Sequence, residues 1–237
     1  MRNSRQGTIR IQDAVCVIGL GRFGTAVATE LMKDGVEVLG IDPDDHVVQA
    51  MDGSVTHVVR GDATQEVTLR KLSVHEFETV VVAIGGSIEA SILVTGLLRK
   101  FGVPNIWAKA VSDQHAEILK QLGVPHVVKP ETDMGRRTAH LLRGTLEEYV
   151  EFAGDFVITQ QLAPEFAIGT PIGELRLRRN YGVHITGMRH PGEPWQIALP
   201  ETALRRGDHI LVAGNRRNAD NFARLPRTDD LDSELDA

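Results

Sequence analysis

Apolar and polar positions follow two different periods along the first part of the chain. Short apolar runs rich in β-branched residues predict buried strands, and the stretches between them repeat apolar residues every three or four positions, as amphipathic helices do. The predicted strands cover residues 14–18, 37–41, 57–60, 79–84, 105–110 and 126–129, and the predicted helices cover residues 25–33, 44–51, 67–72, 87–100, 113–122 and 134–146. This alternation predicts a doubly wound parallel sheet, an α/β fold.

The pattern changes near residue 150. Turn-rich sequence such as RHPGEP then separates β-like runs at residues 156–162, 184–189, 195–199 and 209–212, with one short helix predicted over 172–179. These features predict a small α+β C-terminal domain. The expected organisation is an α/β domain over residues 13–135, a connecting helix over 136–153, the second domain over 154–225 and an acidic, disordered tail over 226–237.

The composition excludes several classes of protein. The formal net charge is −6, without the basic character of a nucleic-acid-binding domain, so no nucleic acid partner is expected. No segment resembles a signal peptide or a run of about 18 apolar residues, so no membrane span is predicted. The single cysteine, inside the first predicted strand, indicates a small buried side chain and a reducing cytosol.

A glycine-rich turn follows the first predicted strand. Gly19, Gly21 and Gly24 have the spacing G-x-G-x-x-G and open the first helix, where a tight turn, close backbone approach and helix packing require glycine. Asp42, at the end of the second strand, is placed to accept hydrogen bonds from ribose hydroxyls and disfavours NADP. Together these residues predict a nucleotide site in a Rossmann-like domain, with a turn that binds no ligand as the alternative.

Two further turns follow the third and fourth predicted strands. RGDAT contains Asp62 and Ala63, and AIGGS contains Gly85 and Gly86. Ligands of this architecture bind at the carboxyl ends of the strands. Asp62 is therefore interpreted either as a contact to adenine or ribose or as the cap of the next helix. The two glycines either give a phosphate access to the backbone or only turn the chain.

No catalytic arrangement stands out in the sequence. A dehydrogenase needs a substrate domain and a general acid or base beside its cofactor. The second domain is small, and the sequence places no acidic partner beside His184, His190 or His209 in an evident dyad. The sequence therefore favours a sensor without enzymatic activity. A small NAD-dependent oxidoreductase and a Rossmann-type redox sensor are the alternatives.

Several segments resemble one family. VIGLGRFG, NIWAKA, KPETDMG and the run from GTPIGELRLRRNYGVHITGMRHPG to LRRGDHILVAG are similar to the RCK family, the regulators of K⁺ conductance in bacterial Ktr/Trk-type potassium uptake systems. The resemblance covers roughly residues 13–224. It implies an RCK_N (TrkA-N) domain followed by an RCK_C (TrkA-C) domain and a regulatory role in potassium transport.

The resemblance also implies roles for residues around the glycine turn. Arg22, followed by Phe23, occupies the place of an arginine that reaches nucleotide phosphates, often across a dimer interface. Glu131 matches a residue near the phosphates that helps to hold a divalent cation, and Lys109 matches a position near the ligand. The alternatives are a surface arginine, a helix cap at Glu131 and a salt-bridged strand end at Lys109.

The ligands and partners implied by the resemblance are those of a gating subunit. They are ATP and ADP, or NAD⁺ and NADH, with Mg²⁺, Ca²⁺ or Na⁺. Homodimers are expected to form a homo-octameric ring under a membrane potassium channel subunit, at the inner face of the membrane. Cyclic di-AMP binds the C-terminal domain of several relatives, and the matching region here contains Arg178, Asn180, Ile185 and Pro200. A folded core without a ligand is the alternative for that region.

Overall fold

The structure is a computed structural model that describes residues 13–142, 146–152 and 154–227. The chain divides into two compact units, Met1–Thr132 and Asp133–Ala237. No helix in the described ranges combines the length and the apolar composition that a bilayer crossing requires.

The described residues of the first unit form a parallel sheet with helices between the strands. Its strands are β1 (Val15–Ile18), β2 (Val38–Asp42), β3 (His57–Arg60), β4 (Thr79–Val82), β5 (Asn105–Lys109) and β6 (His126–Val128). Its helices are α1 (Arg22–Lys33), α2 (Asp45–Met51), α3 (Glu66–Lys71), α4 (Ile88–Phe101), α5 (Asp113–Gln121) and α6 (Pro130–Leu141), of which α6 continues into the second unit. The strand order β3-β2-β1-β4-β5-β6, with parallel pairing throughout, confirms the predicted doubly wound fold.

The centre of this sheet is its most deeply buried part. β1 pairs with β2 on one side and with β4 on the other, and its Cys16 has no exposed surface. Burial raises the pKa of the Cys16 thiol far above its ordinary value. Separate apolar clusters cover the two faces of the sheet, one including Cys16 and Leu98 and the other including Val17 and Ala28.

Two helices begin three or four residues earlier than the sequence predicts. α1 begins at Arg22 rather than at residue 25, so Arg22 and Phe23 lie in its first turn. α6 begins at Pro130 rather than at residue 134, which places Glu131 in the first turn of α6. Proline is favoured at the first helical position because it lacks the N–H that would have no partner there, and an acidic side chain next to it complements the helix dipole.

The described part of the second unit forms an antiparallel sheet packed against short helices. Its strands are β7 (Glu148–Phe152), β8 (Phe156–Leu162), β9 (Val183–Arg189), β10 (Gln196–Ile197) and β11 (His209–Asn215), in the order β10-β9-β11-β8-β7. The helices are α7 (Leu177–Asn180) and α8 (Arg216–Phe222). RHPGEP forms the turn between β9 and β10, with Gly192 at a φ of +83°. The predicted small α+β domain is thus confirmed.

The segment predicted as a connecting helix differs from the sequence expectation. The helix predicted over residues 136–153 ends at Leu141, and β7 follows it, paired with β8 so that the Tyr149 side chain is buried. α7 is shorter than the helix predicted over 172–179, and α8 was not predicted. The expected tail begins inside the folded unit, because the Pro226 carbonyl accepts a hydrogen bond from the Glu165 N–H. Residues 228–237, which carry its acidic side chains, lie outside the described residues.

Candidate functional site

A cavity of about 350 Å³ opens at the carboxyl edge of the parallel sheet. The turns after β1, β2, β3 and β4 form its wall, so the cavity lies where the strand order reverses between β1 and β4. Ligands of doubly wound sheets bind at this position. The wall brings together several residues predicted from the sequence, namely Gly19, Gly21, Asp42, Asp62, Ala63 and Gly85.

The three glycines of the turn differ in what they permit. Gly19 has a φ of +90°, and a Cβ at Gly24 would lie 1.9 Å from the Gly19 carbonyl oxygen. Gly24 therefore allows α1 to pack directly on the turn. A Cβ at Gly21 would meet no atom within 4 Å, and Gly21 offers no side chain to cap α1. Gly19 and Gly21 also line the cavity, so it borders the start of α1, where N–H groups without helical partners favour an anion.

Asp42 holds the glycine turn in place. Its carboxylate is buried, and its Oδ2 accepts a hydrogen bond from the Leu20 N–H at 2.7 Å. Its Oδ1 accepts one from the Asp44 N–H at 2.9 Å. Each carboxylate oxygen has a further lone pair, so the side chain retains the capacity to accept a ribose hydroxyl.

Asp62 closes a local turn at the rim of the cavity. Its Oδ1 accepts hydrogen bonds from the Thr64 hydroxyl at 2.6 Å and from the Thr64 N–H at 3.0 Å. These bonds lower the pKa of Asp62, the hydroxyl contributing most. The capping residue of α3 is Gln65, so the interpretation of Asp62 as a helix cap is wrong. The Ala63 side chain is buried beside it.

Three charged side chains and one aromatic ring lie beside the cavity wall. They are named the ionic cluster and comprise Arg22, Phe23, Lys109 and Glu131. The Lys109 ammonium donates a hydrogen bond to Glu131 Oε1 at 2.5 Å. It lies 5.8 Å from the centre of the Phe23 ring and 3.2 Å from the position of a Cβ on Gly85. The hydrogen bond from Lys109 is the main cause that lowers the pKa of Glu131, and the Arg22 charge adds to it. The ionic cluster adjoins the cavity without lining it.

The charges around Glu131 oppose a metal ion bound by this carboxylate alone. The carboxylate is bound to an ammonium group and lies in the field of a guanidinium group, both of which repel a cation. Over the described ranges of the chain, no three His, Cys, Asp or Glu side chains converge as metal ligands do. Glu131 therefore offers no cation site of its own among the described residues, and Mg²⁺, Ca²⁺ or Na⁺ held jointly by Glu131 and nucleotide phosphates stays a prediction.

A second cavity, of about 410 Å³, lies in the C-terminal unit. Of the residues predicted for cyclic di-AMP, Arg178 and Pro200 line this cavity. Asn180 does not, and its side-chain amide donates to the Leu175 carbonyl at 3.1 Å. Ile185 is fully buried in the core of the unit.

Sequence reasoning missed other residues of the C-terminal unit. Arg176, Arg179 and His184 also line the second cavity, and the basic run LRLRRN was the signal that could have found the arginines. His190 and Asp208 form a pair, with His190 Nδ1 2.8 Å from the Oδ1 of the fully buried Asp208. They are 18 positions apart in sequence, and only the pairing of β9 with β11 brings them together.

Comparisons with solved structures agree with this architecture. The GsuK RCK domain superposes with a TM-score of 0.63 at 17% identity, covering 92% of this chain and 49% of that one. The GsuK channel bound to NAD gives a TM-score of 0.50 at 24% identity, covering 92% of this chain and 39% of that one. The chain thus spans half or less of these two proteins, and at these identities the likeness shows the fold.

Sequence comparisons identify the family. Residues 15–130 match the TrkA-N domain and residues 165–227 match the TrkA-C domain. The chain is 35% identical over 207 residues to the Ktr system potassium uptake protein A of Bacillus subtilis (strain 168), covering 87% of this chain and 93% of that protein. With both domains matched and most of both chains covered, this chain belongs to the RCK family of Ktr/Trk potassium uptake proteins, among which are the Ktr A proteins.

Proposed function

We propose that this chain is the nucleotide-sensing regulatory subunit of a Ktr/Trk-type potassium uptake system, and that ATP and ADP compete for the cavity at the carboxyl edge of the parallel sheet. The observation that carries the proposal is the wall of that cavity. The open helix start at Gly21, the turn at Gly19 and the carboxylate of Asp42 face one space. Backbone N–H groups for phosphate and an acidic acceptor for ribose are what a nucleotide requires.

The size of the cavity supports a mononucleotide. At about 350 Å³ it lies at the lower end of the range for ligand cavities. NAD is the alternative ligand, since a GsuK channel with this fold has been solved with NAD. Arg22 is exposed in the first turn of α1 and is free to approach a terminal phosphate on its own chain or on a second copy.

The proposed regulation requires that the two conformations of the assembly differ in their affinity for ATP relative to ADP. ATP and ADP shift a conformational equilibrium only to the extent that one state binds one of them better. The γ-phosphate supplies such a difference, because it adds charge near Arg22. The proposal also includes the assembly. Homodimers form a homo-octameric ring, which binds a membrane potassium channel subunit at the inner face of the membrane. Exposed apolar surface for such contacts includes Trp107, which is 40% exposed and stacks on the His126 ring at 4.2 Å.

Calorimetry on the purified full chain tests the proposal. We expect wild type to bind ATP and ADP with different affinities, and Arg22→Ala to lose most of that difference. Arg217→Ala, which removes an exposed arginine of α8, is the control. Equal affinities for ATP and ADP in wild type and in Arg22→Ala would overturn charge sensing by Arg22. Native mass spectrometry of the same sample reports co-purified nucleotide and the number of copies in the ring.

The second cavity supports a second ligand, which we propose to be cyclic di-AMP. Arg176, Arg178 and Arg179 surround it, and guanidinium groups suit phosphodiesters. We expect Arg178→Ala to weaken cyclic di-AMP binding in calorimetry while ADP binding stays unchanged. Arg217→Ala is again the control. Cyclic di-AMP binding that is unaffected by Arg178→Ala would contradict this location.

A further inference from the structure

The arginine-lined cavity of the C-terminal unit lacks a counter-charge among the described residues. Arg176, Arg178 and Arg179 line this space of about 410 Å³ together with apolar side chains such as Leu177 and Leu199. Over the part of the chain that the structure describes, no acidic residue lines the cavity, and no carboxylate pairs with any of the three arginines. Three guanidinium groups thus border one space without a carboxylate, an arrangement that favours an anion.

The segment that follows the C-terminal domain has the opposite charge. Residues 165–227, which match the TrkA-C domain, contain ten arginines, no lysine and six acidic residues, a formal charge of +4. Residues 228–237, named the acidic segment, read TDDLDSELDA and contain five acidic residues and no basic one, a formal charge of −5. Leu231 and Leu235 add apolar side chains between the carboxylates. The acidic segment therefore complements a cavity whose wall is both basic and apolar.

The acidic segment is long enough to reach this cavity. Just before the segment, the Pro226 carbonyl accepts a hydrogen bond from the Glu165 N–H at 3.0 Å. From Glu165 the chain reaches Gly173 on the cavity wall in eight residues, and the first three form a 3₁₀ turn, Glu165–Ala167. Ten extended residues span about 33 Å, which is more than that path can cover. The effective concentration of the segment at its own cavity is then on the order of millimolar.

We propose that the acidic segment occupies the arginine-lined cavity of its own chain and competes there with phosphate-bearing ligands. The wall supplies guanidinium groups for the carboxylates and apolar surface for Leu231 and Leu235. A cyclic dinucleotide must displace the segment in order to bind, so the segment raises the ligand concentration at which the cavity fills. The competition rests on the proposed binding of cyclic di-AMP, whereas the contact between segment and cavity does not.

The test requires a full-length chain whose acidic segment carries no charge. This neutral-segment variant combines Asp229→Asn, Asp230→Asn, Asp232→Asn, Glu234→Gln and Asp236→Asn. A matched charge control removes five exposed carboxylates from the first unit instead, by Asp34→Asn, Asp52→Asn, Glu78→Gln, Glu89→Gln and Glu117→Gln. Phenylglyoxal, which modifies accessible guanidinium groups, is added to each chain, and mass spectrometry gives the modification rate of each arginine.

The modification rates report the contact without any added ligand. We expect Arg176, Arg178 and Arg179 to react about fivefold faster in the neutral-segment variant than in wild type, which corresponds to about 80% occupancy of the wild-type cavity by the segment. The charge control should react like wild type. Arg217, exposed on α8, should react at one rate in all three chains.

Calorimetry with cyclic di-AMP tests the competition. We expect the neutral-segment variant to bind cyclic di-AMP about fivefold more tightly than wild type, because the same occupancy no longer has to be displaced. The charge control should bind it as wild type does. ADP affinity should be equal in wild type and the neutral-segment variant, since the acidic segment does not compete for the first cavity.

The other outcomes separate the contact, the competition and the ligand. Equal modification rates of the cavity arginines in wild type and the neutral-segment variant would overturn the proposal. An equal acceleration at Arg217 would also overturn it, since the segment would then pair with the surface of the domain at large. If the cavity arginines accelerate but no chain binds cyclic di-AMP, the proposed second ligand fails and the contact is supported. If they accelerate and cyclic di-AMP affinity is the same in all chains, the competition is overturned.

Discussion

Gly24 is the residue with the least room around it in the nucleotide turn. A Cβ there would meet the Gly19 carbonyl oxygen at 1.9 Å and the Ala83 Cβ at 3.1 Å. We predict that Gly24→Ala lowers the free energy of unfolding by about 3 kcal/mol, because backbone must move to admit the methyl group. Urea denaturation measures the change.

Gly96→Ala is the matched control for that prediction. Gly96 lies inside α4, and a Cβ there would meet no atom within 4 Å. We expect this variant to gain about 0.5–1 kcal/mol, since alanine loses less backbone entropy in a helix than glycine does. Equal stabilities of Gly24→Ala and wild type would contradict the close packing of α1 on its turn.

His115 makes stability depend on pH. The side chain is buried on α5, its Nδ1 accepts a hydrogen bond from the Val111 N–H at 3.3 Å, and burial lowers its pKa below 6.5. The unfolded chain therefore binds a proton near pH 6.5 that the folded chain binds only at lower pH. The stability contributed by the neutral ring is present above that pH and is lost as the pH falls through the folded-state pKa.

We predict that His115→Asn flattens this pH dependence. Denaturation of wild type between about pH 5 and pH 8 should show stability falling towards the acid side, because the unfolded state takes up more protons. Asparagine retains an acceptor near the Nδ1 position but does not titrate, so the slope should decrease. His46→Asn, at an exposed position of α2, should keep the wild-type slope. An unchanged slope in His115→Asn would refute the assignment.

At the scale of elements, α6 differs from the other long helices. None of its residues is buried, and its C-terminal half is held to β7 by polar contacts. Arg136 and Arg137 form ion pairs with Glu151 and Glu148, and the His140 ring stacks on Tyr149 at 4.0 Å. Helices gain most of their stability from packing of an apolar face, which α6 does not have.

We predict that the backbone amides of α6 exchange hydrogen about a hundredfold faster than those of α4, which has buried Val94 and Leu98. Hydrogen–deuterium exchange with mass spectrometry measures both helices in one experiment. Protection of α6 equal to that of α4 would contradict the prediction for the single chain and would indicate that a second copy covers the helix.

The elements that the sequence predicted correctly have strong local patterns. Apolar runs such as TVVVAI and the glycine spacing after β1 lead directly to the sheet and to the cavity at its edge. β7 was not predicted, because Glu148 follows a helix-like segment and only pairing with β8 makes EYVEF a strand. α8 was missed because RRNADNF is polar, while its buried Ala219 and Phe222 are recognisable only from the packing.

The ionic cluster is a part of the site that local sequence patterns do not predict, because it depends on contacts between distant residues. Lys109 and Glu131 are 22 positions apart, and their hydrogen bond depends on where α6 begins. The family resemblance predicted that Lys109 and Glu131 each lie near a ligand. It gave no information on the contact between these two side chains. Ile185 illustrates the same limit, since burial in the core depends on the packing of the whole unit.

At the scale of the whole molecule, each unit has its own apolar core and its own cavity. We predict that ADP and cyclic di-AMP stabilise different parts of the chain. In differential scanning calorimetry each ligand, at about a hundred times its Kd, should stabilise its own unit by about 2.7 kcal/mol. A single transition that shifts equally with either ligand would show that the units unfold together.

The burial of Cys16, the single cysteine, makes it practical to measure distances between labels on the two units. The chain has one cysteine, and that thiol lies inside the central strand with a pKa far above the range in which thiols react. Maleimide dyes and thiol-reactive nitroxide spin labels will therefore not react with the folded wild-type chain. One cysteine introduced on the surface of each unit can then carry a label pair without removing the native residue, and distance changes can be read directly when nucleotide is added.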